Sequence, residues 1–194
     1  MDKTEVLNVW IPYRLQGIET MLWAYNQLYD LASPRRMEVF VNGTKILQGD
    51  ASAILNPMLE VGFIYARSLL EFLGLAAKDG RLVERSGRFQ DDITIEHFDV
   101  SGVHLKKVSP SSALDAYTGG PRERGEHALV AMFELANKGT AHLSSRFPDG
   151  YTNVDLEIAC KGVRALVEDN LYAKLGMQIP EPPKQDSKRG ASHG

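Results

Sequence analysis

Two groups of polar side chains interrupt otherwise apolar strings and are the residues best suited to chemistry. The first is Arg67 with Glu71, in Ala66-Arg67-Ser68-Leu69-Leu70-Glu71-Phe72-Leu73. The second is Glu134, Asn137, Lys138 and His142, leading into Asn137-Lys138-Gly139-Thr140-Ala141-His142-Leu143. An imidazole titrating near neutral pH can serve as a general base, and a guanidinium or ammonium can hold a phosphate. His142 with Arg67 or Lys138 therefore has the parts for attack of an RNA 2′-hydroxyl on its own phosphate, with no metal. The same spacings also fit a plainer structure. Arg67 and Glu71 are i,i+4 neighbours on a helix and pair as ions. Glu134, Asn137, Lys138 and His142 fall on the polar side of a second helix, His142 at its border.

Other candidates carry less. Arg122-Glu123-Arg124-Gly125-Glu126-His127 matches an Arg-x(4–6)-His pattern, but about one such match is expected by chance in a chain of this composition. Arg81, Arg85 and Arg88, with Lys106-Lys107, are cations that Glu84, Asp91 and Asp92 dilute. Asp91, Asp92, Glu96, His97 and Asp99 are metal-ligand types without metal-ligand spacing, so neither metal nor cofactor is expected. Cys160 lies on an apolar helix face and reads as packing. Gly43 to Gly49 lacks the Gly-Lys-Ser/Thr ending of a phosphate loop. Trp10 and Trp23 read as core or interface aromatics.

The elements that must position these groups follow from periodicity. Ile11, Leu15, Ile18, Leu22, Tyr25, Leu28 and Leu31 predict a helix over 12–32 that ends before Pro34. Short β-prone runs on either side of Asn42-Gly43 predict a hairpin over 37–48. Asn56-Pro57 predicts a helix start, with Asn as the cap and Pro at the first helical position. That helix should run to about Lys78, apolar at nearly every position from Met58 to Ala77, as a central buried helix. From 79 to 121 the periodicity fails amid Gly80, Gly87, Gly102, Gly119, Gly120 and Pro121, which predicts a long irregular insertion, a lid or partner-binding element. Within it Ser109-Pro110 can open a short helix. A third long helix is expected over 123–145, and a last one over 153–175 with Thr152 and Asp155 as a capping pair. These helices predict an all-α, four- to five-helix antiparallel bundle in one domain, 1–178, followed by a disordered tail, 179–194.

The two strings that carry Arg67 and His142 resemble those of HEPN-like helical proteins (higher eukaryotes and prokaryotes nucleotide-binding). The shared features are an Arg-x-Leu-x-x-Phe helix and a later Asn-Lys-x-x-Ala-His-Leu helix, and the resemblance spans roughly residues 10–175. It implies a helical bundle that is commonly a homodimer. In active relatives it also implies metal-independent RNA cleavage by a helix-borne Arg and His in an Arg-x(4–6)-His pattern. Five residues before His142 this chain has Asn137, not Arg. Composition points the same way. Lys and Arg total 22 against 25 Asp and Glu, a formal charge of -3, so no net positive field draws the chain toward nucleic acid. At 43% hydrophobic and 24% charged residues, collagen-like, coiled-coil and wholly disordered classes are excluded. A single cysteine excludes an internal disulfide, and Met1–Asn8 lacks the basic, then apolar, pattern of a secretory signal, so a cytoplasmic protein is expected. The resulting expectation is a HEPN-like binding or interaction module without catalysis, of the kind that serves bacterial defence or toxin–antitoxin systems. Its partners would be a second copy, RNA or a nucleotide, or a protein engaging 79–121, and no membrane. Glu71, Glu134, Asn137 and Lys138 are its expected binding residues, and the alternative is a metal-independent ribonuclease with His142 as general base and Arg67 or Lys138 as phosphate holder.

Overall fold

Apolar spacing of three and four makes the first long helix where it is expected. It is α2 (Ile11–Asp30), entered through a short α1 (Lys3–Glu5), whose cap is Asp2, and a π-helical turn, Val6–Trp10. The structure, a computed structural model, describes residues 2–31, 35–87, 92–137 and 150–181. The hairpin expected at Asn42-Gly43 is present as β1 (Arg36–Val41) and β2 (Thr44–Asp50), with a register shift between Val39 and Phe40. Both turn residues have positive φ, 50° and 79°, the two-residue turn whose twist matches that of the strands. Most of its residues are exposed on either face.

The next helix, α3 (Ser52–Phe72), differs from expectation at both ends. It starts before Asn56, with Pro57 inside it, because the Asp50 carboxylate accepts the Ser52 N–H at 2.8 Å and so does the capping assigned to Asn56. It stops at Phe72 because Gly74 follows with φ +94°, a left-handed position that ends helices. The Lys107 side-chain stem occupies the space a Cβ at Gly74 would need. The residues read as the last turn of this helix are instead the strand β3 (Leu75–Lys78), which pairs antiparallel with β4 (Arg81–Glu84).

Two further X-Gly pairs with both φ positive, Asp79-Gly80 and Ser101-Gly102, close this hairpin and a smaller one, β5 (Asp99–Val100) with β6 (Val103–His104). Residues 79–121 are therefore not an irregular insertion where the structure describes them. Leu82, Ile95, Phe98, Leu105, Val108, Ala113 and Leu114 are all core residues. The short helix predicted at Ser109-Pro110 is α4 (Pro110–Asp115), with the Ser109 hydroxyl accepting the Ser112 N–H at 3.1 Å.

Two helices complete the fold. α5 (Arg122–Glu134) continues as one turn through 137, and the rest of the helix expected to 145 lies outside the described residues. α6 (Asn153–Val167) begins with the expected reciprocal cap of Thr152 and Asp155 and runs into a π-helical turn, Glu168–Tyr172. Tail residues 182–194 also lie outside the description. Among the described residues helix accounts for 58% and strand for 16%, the latter in three two-stranded antiparallel sheets. The all-α bundle is thus incorrect, and the chain is mixed α/β. No described helix is long and apolar enough to cross a membrane.

Packing makes α5, not α3, the central helix. Every residue from Ala128 to Phe133, then Leu135 and Ala136, is buried. α3 leaves Val61 and Ile64 exposed. α2 and α3 lie antiparallel, since Arg14 meets Ser68 while Cβ atoms built on Gly17 and Gly62 would strike Tyr65 and Met21. A Cβ at Gly62 would lie 2.2 Å from the Met21 Cβ, so the missing side chain is what lets the helices approach. Gly162 in α6 differs, because a Cβ there would only touch Leu129 Cδ2 at 3.6 Å. Gly62→Ala is expected to destabilise the fold by about 1–3 kcal/mol through overpacking. Gly162→Ala is expected to stabilise it by up to about 1 kcal/mol through helix propensity. Urea unfolding midpoints that move the same way for both variants would contradict this packing.

Candidate functional site

The i,i+4 spacing on α3 produces the expected ion pair, with Arg67 Nε donating to Glu71 Oε1 at 2.7 Å. The same guanidinium reaches out of its helix and donates from Nη1 to the Asn137 side-chain oxygen, at the end of the central helix. Glu71 in turn faces a second guanidinium, Arg85 Nη2, at 3.8 Å, and Arg85 donates to Asp92 Oδ2 at 2.9 Å. The four charged side chains form an alternating row of two cations and two anions, each between one fifth and about one third exposed. In such half-buried surroundings a charge is stable only when paired. Arg67, Glu71 and Asn137 are therefore brought together. Arg85 and Asp92, which sequence alone leaves among mixed loop charges, complete the row.

The remaining candidates go elsewhere. The Glu134 carboxylate accepts from the Tyr151 hydroxyl at 3.0 Å and takes no part in the row. Burial, and then this carboxylate, push the Tyr151 hydroxyl pKa upward. Lys138 and His142 lie outside the described residues. The Arg122–His127 match is split between structural duties. Arg122 bonds Asp115 and Ser111 of α4, while the His127 ring packs on Tyr151 with centroids 4.8 Å apart. His97 Nδ1 accepts the Thr94 N–H at 2.9 Å and so closes a capping box. Among the described residues no three His, Cys, Asp or Glu side chains converge as a metal would require. Burial pushes the Cys160 thiol up to about 12, so it is protonated packing at neutral pH.

Sequence reasoning missed Arg14. Its Nε donates to Ser68 Oγ at 3.1 Å and its Nη1 to the Trp10 carbonyl at 3.2 Å. Its guanidinium carbon lies 5.7 Å from the Trp10 ring centroid and 5.9 Å from that of Tyr65. No described carboxylate lies within 4.0 Å of it, so ring faces do the work of a counter-ion. Arg14, Ser68, Glu71, Arg85 and Asp92 share the wall of a cleft of about 330 Å³. A signal existed, since Arg14 is a cation directly beside the core position Leu15 on the most regular apolar stripe of the chain.

Glu126 joins the central helix to β4. It accepts the Leu82 N–H at 3.0 Å and pairs with Arg81 at 2.7 Å. Burial alone would raise its carboxyl, but the Leu82 N–H and Arg81 outweigh it and hold the group below its ordinary 4.5. A depressed carboxyl contributes stability that is present above the ordinary value and lost as pH falls through the folded one. Unfolding midpoints should therefore drop as pH falls from about 5, and Glu126→Gln should make that drop shallower. A variant as acid-sensitive as the wild type would remove Glu126 from this role.

Comparison with family models, with curated proteins and with solved structures finds no match to this chain.

Proposed function

We propose that the chain is a non-catalytic binding or interaction module of the HEPN-like kind, serving a bacterial defence or toxin–antitoxin system. The observation that carries this is the engagement of Arg67. Its Nε is taken by Glu71 and its Nη1 by Asn137, the residue that stands where the cleavage pattern has Arg. Two of the five N–H donors of Arg67 are thus engaged, and a phosphate at the others would meet the carboxylates of Glu71 and Asp92 in the same row. The row reads as a strut tying α3 to the end of the central helix. The ribonuclease alternative rests on His142 with a phosphate-holding cation.

One experiment separates them. Purified protein should leave single-stranded RNA intact in the absence of metal. Glu71→Gln, which leaves Arg67 and Arg85 without the anion between them, should cost about 1–3 kcal/mol in chemical unfolding. Cleavage by the wild type that His142→Ala abolishes, with the fold retained, would overturn the proposal.

The partner in this reading is a second copy of the chain. What supports it is exposed apolar surface on one side of the α2–α3 pair: Tyr13 on α2, with Val61 and Ile64 on α3, beside the exposed Tyr13–Tyr65 hydroxyl contact. Trp23, also on α2, is more than half exposed. Trp10 is instead engaged by Arg14. Sedimentation at micromolar concentration should give a dimer that Ile64→Glu disrupts; a wild-type monomer would refute this part.

A further inference from the structure

A concave apolar surface that the row of Arg67 does not use lies at the opposite end of the central helix from Asn137. It is a cleft of about 440 Å³ between the segment after α4, the first turns of α5 and the outer face of α6. Leu114, Leu129, Ile158 and Leu166 supply apolar walls, and Gly162 leaves bare backbone between them. That volume falls within the roughly 300–1,000 Å³ of clefts that enclose small organic ligands.

Two polar groups that line this cleft, the Tyr117 hydroxyl and the Arg124 guanidinium, make no direct hydrogen bond or ion pair among the described residues. The Tyr117 hydroxyl is buried with no hydrogen bond, covered by Gly119 and Gly120. A buried donor without an acceptor is rare in folded proteins and calls for one. The Tyr117 ring packs on Gly125, where it fills the space of a Cβ, and the residue before Gly125 is Arg124, which also lines the cleft. No described carboxylate lies within 4.0 Å of the Arg124 guanidinium, and its side chain makes no hydrogen bond among the described residues. The carboxylate that lines the cleft, Glu157, is already paired with Lys161 at 2.5 Å. The cleft is therefore lined by a hydroxyl donor and by a guanidinium outside any direct ion pair, although the Asp155 carboxylate feels its charge.

We infer that this cleft binds a small amphiphilic carboxylate, its apolar body against Leu129, Ile158 and Gly162 and its carboxylate at Arg124 and Tyr117. The head displaces the Gly119–Gly120 strap, which carries no side chains to resist, and accepts the orphaned hydroxyl. This names a ligand for the binding module proposed above but uses none of the Arg67 row. RNA cleavage by the wild type would sink the module reading and leave the cleft untouched, and failure of the cleft would leave the Arg67 argument standing.

Decanoate is a suitable probe, with decan-1-ol as its uncharged counterpart. Titration of the full chain by calorimetry should give a decanoate dissociation constant on the order of 100 μM, with decan-1-ol at least about tenfold weaker. Methyl resonances of Leu129, Ile158 and Leu166 should shift on titration. Arg124→Gln should weaken decanoate about tenfold and leave decan-1-ol unchanged, and Tyr117→Phe should weaken it by a smaller factor. Gly162→Leu, which fills the cleft, should abolish binding of both probes; Gly162→Ala, which barely intrudes, should retain it. No decanoate binding up to about 1 mM would overturn the inference. So would binding that survives Gly162→Leu, or equal affinity for acid and alcohol. Shifts of the same methyls with protein concentration alone would give the cleft to a second copy of the chain and equally overturn it.

Discussion

A helix with no polar side over eight of its residues must be enclosed, and the fold is organised by that requirement. From Ala128 to Ala136, α5 offers water almost nothing but Glu134, whose carboxylate is itself bonded by Tyr151. Two helices cannot enclose a third. α3 and α6 cover part of its circumference, and β3, β4 and α4 cover the rest. The β3–β4 hairpin, part of a segment that reads as an insertion, is therefore a wall of the core. Glu126 fastens that wall by accepting a strand N–H from within the helix. Both candidate sites follow from the same arrangement, since they lie where enclosure ends, at Asn137 on one side and at Arg124 and Gly125 on the other.

The electrostatics at those two ends differ in kind. At Asn137 the described charges each have an opposite, with Arg67 against Glu71 and Arg85 against Asp92. Placing such a row in half-buried surroundings costs desolvation that pairing only roughly repays. Its gain is geometric, because a planar guanidinium that bonds two helices at once fixes their relative position. An amide at 137 suits that task better than a second guanidinium would, as it accepts from Arg67 without adding charge. The absence of Arg at this position is thus consistent with the partner Arg67 has found.

What the sequence revealed divides along physical lines. Features set by neighbouring residues were legible: the Thr152–Asp155 cap, the Ser109 cap, the Asn42-Gly43 hairpin and the i,i+4 pair of Arg67 and Glu71. The other two hairpins carried the same kind of signal in Asp79-Gly80 and Ser101-Gly102. They were hidden because Leu75-Ala76-Ala77-Lys78 has good helix formers and continues the apolar run of α3. Gly74 was the available stop signal, and tertiary packing at Lys107 reinforces it. Features set by distant partners were not legible. Nothing local to Glu126 announces Leu82, nothing near Arg14 announces Tyr65, and the all-round burial of α5 depends on a strand wall that periodicity does not encode.

The formal charge of -3 conceals where uncompensated charge remains. Neither Arg14 nor Arg124 has a described carboxylate within 4.0 Å, although Glu71 and Asp92 line the cleft of the first and Glu157 that of the second, and their situations are opposite. Arg14 is satisfied internally, by Ser68, the Trp10 carbonyl and two aromatic faces, so its charge is spent on the fold. Arg124 has no such arrangement, and the group beside it, the Tyr117 hydroxyl, has none either. A folded chain can leave an exposed cation alone at little cost, because water solvates it. A buried hydroxyl has no water, and that asymmetry makes Tyr117 rather than Arg124 the more informative residue. Its position over Gly125 and under Gly119, where glycines at both places make room for the ring, is built into the sequence on both sides. A packing tyrosine could have been a phenylalanine there. An acceptor that arrives from outside the chain would give the hydroxyl the hydrogen bond that the described residues do not supply.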